Sequence, residues 1–305
     1  MSKSTISTFQ LFAMFPDQET ARVYLESRLW PNGVRCPHCG LAERITVRKG
    51  GFYRCNQCRE DFTVRTGTIF ERSHVPLHKW VYAMYLVVTA RKGISSMQLA
   101  KEIGVTQKTA WFMLGRLREA CGDNLDKLRG IVEIDEVYIG GRETNKHVGK
   151  RRTGRRGGAG KAAVFGMRER GGRTKATRVA RVDQATVEFA VLDNVEEGAT
   201  IHSDESRDYL GLRHLGYDHE TVKHRAGEYS RDGVSTNSIE SVWAVLKRGI
   251  YGTFHHVSPK HLGRYIDEFT FRLNEGNVKQ HTLQRLESFV DGTAGRRLTY
   301  KDLIA

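Results

Sequence analysis

Gly130-Ile-Val-Glu-Ile-Asp-Glu-Val-Tyr-Ile-Gly-Gly141 is the stretch on which the fold turns. β-Branched and aromatic residues alternate with acids, and the run stops at a Gly-Gly pair, the pattern of a strand followed by a turn. Asp135 lies at its middle. A carboxylate inside an apolar strand costs several kcal/mol unless something pairs it, and a divalent cation is one such partner. The plainer reading leaves Glu133, Asp135 and Glu136 on a solvated strand face.

The surrounding chain narrows the choice. Its 305 residues suffice for two or three domains, and a net charge of +14 points to a polyanionic partner, nucleic acid first. No apolar run reaches membrane-spanning length and no charged-then-apolar signal opens the chain, so a cytoplasmic protein without a membrane partner is expected. Five cysteines in such a chain suggest metal ligation before disulfides.

Residues 1–30 carry a helical segment that Asp17 caps, with Ala21, Val23, Tyr24, Leu25 and Leu29 as its apolar face. Residues 31–72 hold Cys36-Pro-His-Cys39 and Cys55-Asn-Gln-Cys58, two C-x2-C pairs 15 residues apart. Four thiolates in tetrahedral geometry suit structural Zn2+ and leave no open catalytic position; redox thiols are the weaker alternative. His38 reads as a solvent-facing neighbour and Cys121 as a small buried residue. Arg35, Arg48, Lys49, Phe52, Tyr53, Arg54 and Arg59 flank the ligands and would suit DNA.

Residues 73–122 give a helix from Pro76 to Arg91, then a short helix, Gly104, and a further helix capped by Thr106. That is a helix-turn-helix arrangement, with a plain three-helix bundle as the alternative. Gln107, Lys108, Met113 and Arg116 are expected on its exposed side, where Gln107, Lys108 and Arg116 would touch DNA.

From residue 128 to 275 the pattern is α/β. Asn145 to Lys161 contains seven Lys or Arg and no acid. It is either a solvated charge run or a phosphate-gripping arm built on Lys150, Arg151, Arg152, Arg155 and Arg156. A hairpin around Gly171-Gly172 follows, then a helix over Ala185 to Leu192 and a strand ending at Asp204. From Asn237 to Tyr251, Ile239, Val242, Trp243, Leu246 and Ile250 gather on one helical arc, with Glu240 and Lys247 on its flank. Taken alone, that acid and lysine are ordinary surface residues. A second amphipathic helix follows, and residues 276–305 read as a polar basic tail.

Asp135 on a strand, Asp204 ending a later strand and Glu240 on the next helix follow the order of an RNase H-like fold, whose acids converge on two divalent ions about 3.5–4 Å apart. Oxygen ligands select Mg2+ or Mn2+. At this point the chain resembles the zinc-ribbon-bearing DDE transposases of prokaryotic insertion sequences. The marks are the two cysteine pairs, Glu133-Ile-Asp-Glu-Val-Tyr-Ile-Gly-Gly141, His202-Ser-Asp-Glu-Ser206, Thr236-Asn-Ser-Ile-Glu-Ser-Val-Trp243, and Lys247-Arg-Gly-Ile-Tyr-Gly-Thr-Phe-His-His-Val-Ser-Pro-Lys-His261. The resemblance implies that Asp135, Asp204 and Glu240 bind the metals and that Lys247 touches DNA beside them. It also implies cleavage at transposon ends and transfer of the 3′-hydroxyls to target DNA. Some relatives place an Asn in the third acidic role, so Asn237 is a candidate assistant, with His224 another. The expected partners are double-stranded DNA and further copies of the chain assembled on it. A non-catalytic DNA-binding regulator and a stand-alone nuclease of the same fold are the rival readings.

Overall fold

Pro16 divides the first helical segment, because the residue before a proline is steered out of the helical region. In the computed structural model, described over residues 5–122, 126–141, 143–151, 158, 160–223, 230–276 and 280–305, α1 (Thr8–Met14) precedes α2 (Gln18–Leu29). Asp17 Oδ1 caps α2 by accepting the Thr20 N–H at 2.8 Å. The chain divides into two units, Met1–Gly122 with Glu275–Ala305, and Asp123–Asn274.

In the first unit β1 (Ile45–Val47), β2 (Tyr53–Cys55) and β3 (Asp61–Phe62) form an antiparallel ribbon. With so little area to bury, it fills its core with the Trp30, Tyr53 and Phe62 rings. Tyr53, expected among the DNA-facing residues, is therefore a core side chain. Pro76 starts α3 (Leu77–Thr89), which buries Trp80, Met84 and Val87. Ser95 caps α4 (Ser96–Ile103), Gly104 ends it at φ +63°, and Thr106 caps α5 (Gln107–Ala120). The left-handed φ is the reason glycine stands at the turn. This is the expected helix-turn-helix order.

The second unit is built on β4 (Ile131–Ile139), β5 (Ala162–Glu169) and β6 (Thr174–Val179), then α6 (Gln184–Asn194), β7 (Thr200–Asp204) and β8 (Asp218–Val222). A small ladder of β9 (Ser230–Arg231) and β10 (Val234–Ser235) leads into α7 (Asn237–Gly249) and α8 (Leu262–Asn274). The sheet order is β6-β5-β4-β7-β8, with β5 antiparallel to both neighbours and β7 and β8 parallel to β4. Period-two alternation divides β4 between two cores. Val132 and Ile134 pack with Phe165, Val187, Val191 and Tyr209. Val137 and Ile139 pack on the other face with Ile239, Trp243 and Leu246 of α7 and Phe269 of α8. The result is the mixed, helix-flanked sheet of an RNase H-like domain.

Residues beyond 280 are not a loose tail. α9 (Thr282–Asp291) and α10 (Tyr300–Ile304) belong to the first unit and bury Leu286, Phe289, Val290 and Leu303, with Leu298 buried between them. Backbone bonds Ile69 N–H to Thr293 O at 3.2 Å and Gly295 N–H to Gly67 O at 2.9 Å tie them in. Among the described residues no helix is long and apolar enough to cross a membrane.

Candidate functional site

The four ribbon cysteines converge. Cys36, Cys39, Cys55 and Cys58 have their sulfurs all within 4.8 Å of one another. Two of the separations are 3.6 Å (Cys36 to Cys58) and 3.7 Å (Cys39 to Cys55). Sulfurs placed about 2.3 Å from one tetrahedral Zn2+ stand about 3.8 Å apart, so the donor set and spacing fit zinc. His38 is exposed and outside this group. Arg48 and Arg54 both pair with Asp61, at 3.2 and 3.1 Å.

The carboxylates lie in the sheet-bearing unit, on β4, β7 and α7. β4 and β7 run parallel with Glu133 beside His202. β7 ends two residues further on at Asp204, near enough for its charge to act on the Asp135 carboxyl. Alternation turns Glu133, Asp135 and Asp204 to the side of the sheet that α7 covers, and Glu136 to the opposite side. There Tyr209 donates a hydrogen bond to Glu136. Burial, reinforced by the negative charges of Glu136 and Asp204, pushes the Asp135 carboxyl up to about 7, against the lowering effect of its hydrogen bonds to the Glu136 backbone and Trp243. Burial also raises Glu136, assisted by the charges of Asp204 and Asp208. A divalent cation relieves both burial and repulsion, and hard oxygen donors are what Mg2+ and Mn2+ take.

α7 is fixed to β4 at two points. The Ser238 and Ile239 N–H groups bind the Glu133 carboxylate, and Trp243 Nε1 donates to Asp135 Oδ2 at 2.9 Å. Glu240 lies between these anchors, half-buried, and accepts from the Thr236 hydroxyl at 3.3 Å. Among the described residues the four cysteines are the only group of three or more His, Cys, Asp or Glu side chains gathered closely enough to hold one ion, so Asp135, Asp204 and Glu240 are not gathered in that way. Lys247 and Asn237 are exposed. His224 lies outside the described residues.

Glu133, for which the sequence allows a solvated strand face, is instead buried and receives the start of α7. Its signal was its placement among apolar strand residues. Arg116 and Met113, expected on the exposed side of α5, are only 8% and 2% exposed. Arg116 Nη1 donates to the Ile69 and Glu71 carbonyls at 3.0 and 2.8 Å, and its guanidinium lies 4.4 Å from the Phe112 ring centre. It is therefore a packing residue and does not face DNA. Gln107 and Lys108 remain exposed, Gln107 bonded to Ser96 Oγ at 2.9 Å and Lys108 over the Tyr300 ring. Arg151 is exposed and its guanidinium donates to the Lys146 and Thr144 carbonyls. The Lys150 side chain and Arg152, Arg155 and Arg156 lie outside the described residues.

Residues 127–274 match the family profile of the ISXO2-like transposase domain, and residues 16–61 that of the transposase zinc-ribbon domain. A Halobacterium salinarum protein, named only as an uncharacterized protein in transposable element ISH50, is 31% identical over 273 residues, spanning 85% of this chain and 91% of that one. Among solved structures, the Mos1 strand transfer complex covers 72% of this chain and 79% of its own, at 11% identity and a TM-score of 0.23. The Mos1 mariner paired end complex with Mn covers 70% and 78%, at 11% identity and 0.22. With a transposase domain and a transposase zinc ribbon on one chain, and a relative from a transposable element matched over nine-tenths of its length, the protein belongs to the zinc-ribbon-bearing DDE transposases of insertion sequences.

Proposed function

We propose that this transposase binds the ends of its insertion sequence, cleaves the DNA there and joins the freed 3′-hydroxyls to target DNA, with Asp135, Asp204 and Glu240 holding two Mg2+ or Mn2+ ions. The observation that carries this reading is Asp135 on β4, next to the parallel strand β7 that ends at Asp204, with its carboxyl raised by burial and by the charges of Glu136 and Asp204. When bound, the two ions would lower the pKa of the attacking oxygen and neutralise charge at phosphorus.

In the first step water attacks the phosphate at the transposon end, breaking its bond to the 3′ oxygen and leaving a 3′-hydroxyl and a 5′-phosphate. In the second, that hydroxyl attacks a target phosphate and a target 3′ oxygen leaves. The chain's part is to hold the reactants in line: the rigid β4–β7 pair fixes the two aspartates, α7 brings Glu240, and exposed Lys247 grips a phosphate beside them. Gln107 and Lys108, at the exposed start of α5, contact DNA bases and phosphates. The basic segment with Lys150, Arg151, Arg152, Arg155 and Arg156 adds sequence-independent affinity. Zinc at the four cysteines stabilises the ribbon. Two ends present two scissile phosphates, so the working form is a homo-oligomer on DNA.

Labelled DNA carrying the terminal repeats, incubated with the protein, Mg2+ and target plasmid, tests this. Asp135→Asn, Asp204→Asn and Glu240→Gln should each abolish cleavage and joining while end binding persists. Ca2+ should support binding but little chemistry, because its looser coordination holds reacting oxygens poorly. Cleavage without joining would make the protein a nuclease. Binding with no cleavage by the unaltered chain would make it a regulator.

A further inference from the structure

Asp135 is held by more than its own strand. Its Oδ2 accepts the indole N–H of Trp243 at 2.9 Å, and Trp243 is itself buried in the core beneath α7. The residue paired with Asp135 on β5 is Gly166. A Cβ placed on Gly166 would stand 2.3 Å from Trp243 Cη2 and 2.6 Å from Cζ2, with Ile239 Cδ1 at 3.3 Å. The Gly166 backbone is not in the left-handed region, so its φ does not call for glycine. Close approach of the indole does. The strand residue opposite the acid therefore lacks a side chain, and the benzene end of Trp243 fills that space while its N–H reaches the carboxylate. An indole N–H only donates, so it matches the ionised acid.

We propose that Trp243 is a positioning residue for Asp135: seated in the space left by Gly166, its N–H fixes the orientation in which the carboxylate is offered to a divalent cation. This rests on the reading of Asp135 as a metal ligand. A carboxylate already ordered by a neighbour loses less freedom when it binds an ion, and such supporting hydrogen bonds govern metal affinity without touching the metal.

The test uses the zinc-loaded full-length chain bound to end DNA, with Mn2+ titrated by calorimetry. Trp243→Phe keeps an aromatic ring and removes the donor. Replacing Trp243 by β-(3-benzothienyl)alanine keeps the bicyclic shape with sulfur in place of N–H, and carries the test if the Phe variant fails to fold. Both should keep wild-type end-DNA affinity, and the benzothienyl variant should keep the wild-type melting temperature. Both should bind Mn2+ about 10- to 100-fold more weakly and need correspondingly more metal for half-maximal cleavage. Gly166→Ala, which displaces the ring, should reproduce the Mn2+ loss with an added loss of thermal stability. Unchanged Mn2+ affinity in the benzothienyl variant would overturn the proposal and leave Trp243 as core packing. Asp135→Asn separates the two levels: wild-type Mn2+ affinity there would remove Asp135 from the metal site altogether, and the proposal with it.

Discussion

Ser238 gives Glu133 two hydrogen bonds, one from its backbone N–H at 2.8 Å and one from its hydroxyl at 2.7 Å, both to Oε2. The Ile239 N–H adds a third at 3.1 Å, while Arg170 binds Oε1 through Nε and Nη2 at 3.2 and 3.0 Å. Thr236, at the N-cap of α7, makes no side-chain capping bond, so a strand acid performs that service. Glu133→Ala strips these acceptors and leaves Arg170 without its carboxylate. Unfolding free energy of the Asp123–Asn274 unit should fall by about 3 kcal/mol in denaturant titration. A loss under about 0.5 kcal/mol would mean that α7 starts equally well without it.

The ribbon has few apolar side chains to bury, so its folding should depend on metal. Purified protein should contain one Zn2+ per chain. Cys55→Ser should unfold the ribbon and weaken binding to end DNA, while the Asp123–Asn274 unit retains its melting transition. Protein free of zinc with full DNA binding would contradict this.

Arg116 and the basic segment should separate cleanly. Because Arg116 is spent on the Ile69 and Glu71 carbonyls, Arg116→Ala should lower the thermal stability of the first unit. It should not change the salt dependence of DNA binding. Neutralising Lys150, Arg151, Arg152, Arg155 and Arg156 together should instead weaken binding to every sequence and flatten its salt dependence, since fewer counterions are released. Gln107→Ala should alter sequence preference. A loop variant with an unchanged salt slope would reduce that segment to a solvated linker.

Acid–base behaviour follows from Asp135. Its carboxyl moves from an ordinary 3.8 to about 7 on folding, so between those values the folded chain keeps a proton that the unfolded chain releases. Stability from this group is full below about pH 4, falls as pH rises and is lost above about 7. Without divalent metal, the melting temperature should drop between about pH 4 and pH 7, and drop less in Asp135→Asn. Excess Mg2+ should offset the decline if the ion binds there. Identical pH profiles for the two proteins would show that Asp135 is solvated.

Local signals were legible in the sequence. The β4 alternation, the paired cysteines, the Asp17 and Thr106 caps and the apolar arc of α7 depend on neighbours a few residues away, and each element stands where its pattern put it. What failed depended on distant partners. Arg116 looks like a surface arginine until its carbonyl partners, 45 and 47 residues away, are in place. Glu133 looks solvated until a helix start 105 residues later docks on it. In residues 280–305, Leu286, Phe289 and Val290 were hidden by a polar composition, although their spacing is helical. The order of the three acids was readable, whereas the spacing of Glu240 from the two aspartates depends on how α7 lies along β4.

The return of α9 and α10 also sets the timetable of synthesis. The first unit needs residues from both ends of the chain, with the whole sheet-bearing unit emerging between them. On the ribosome, Leu286, Phe289 and Val290 appear only after every strand of the sheet has been made. Domains ordinarily fold in the order of their translation. Here the unit that begins first finishes last, and nascent α2 and α3 wait with an uncovered apolar face while the sheet-bearing unit completes itself.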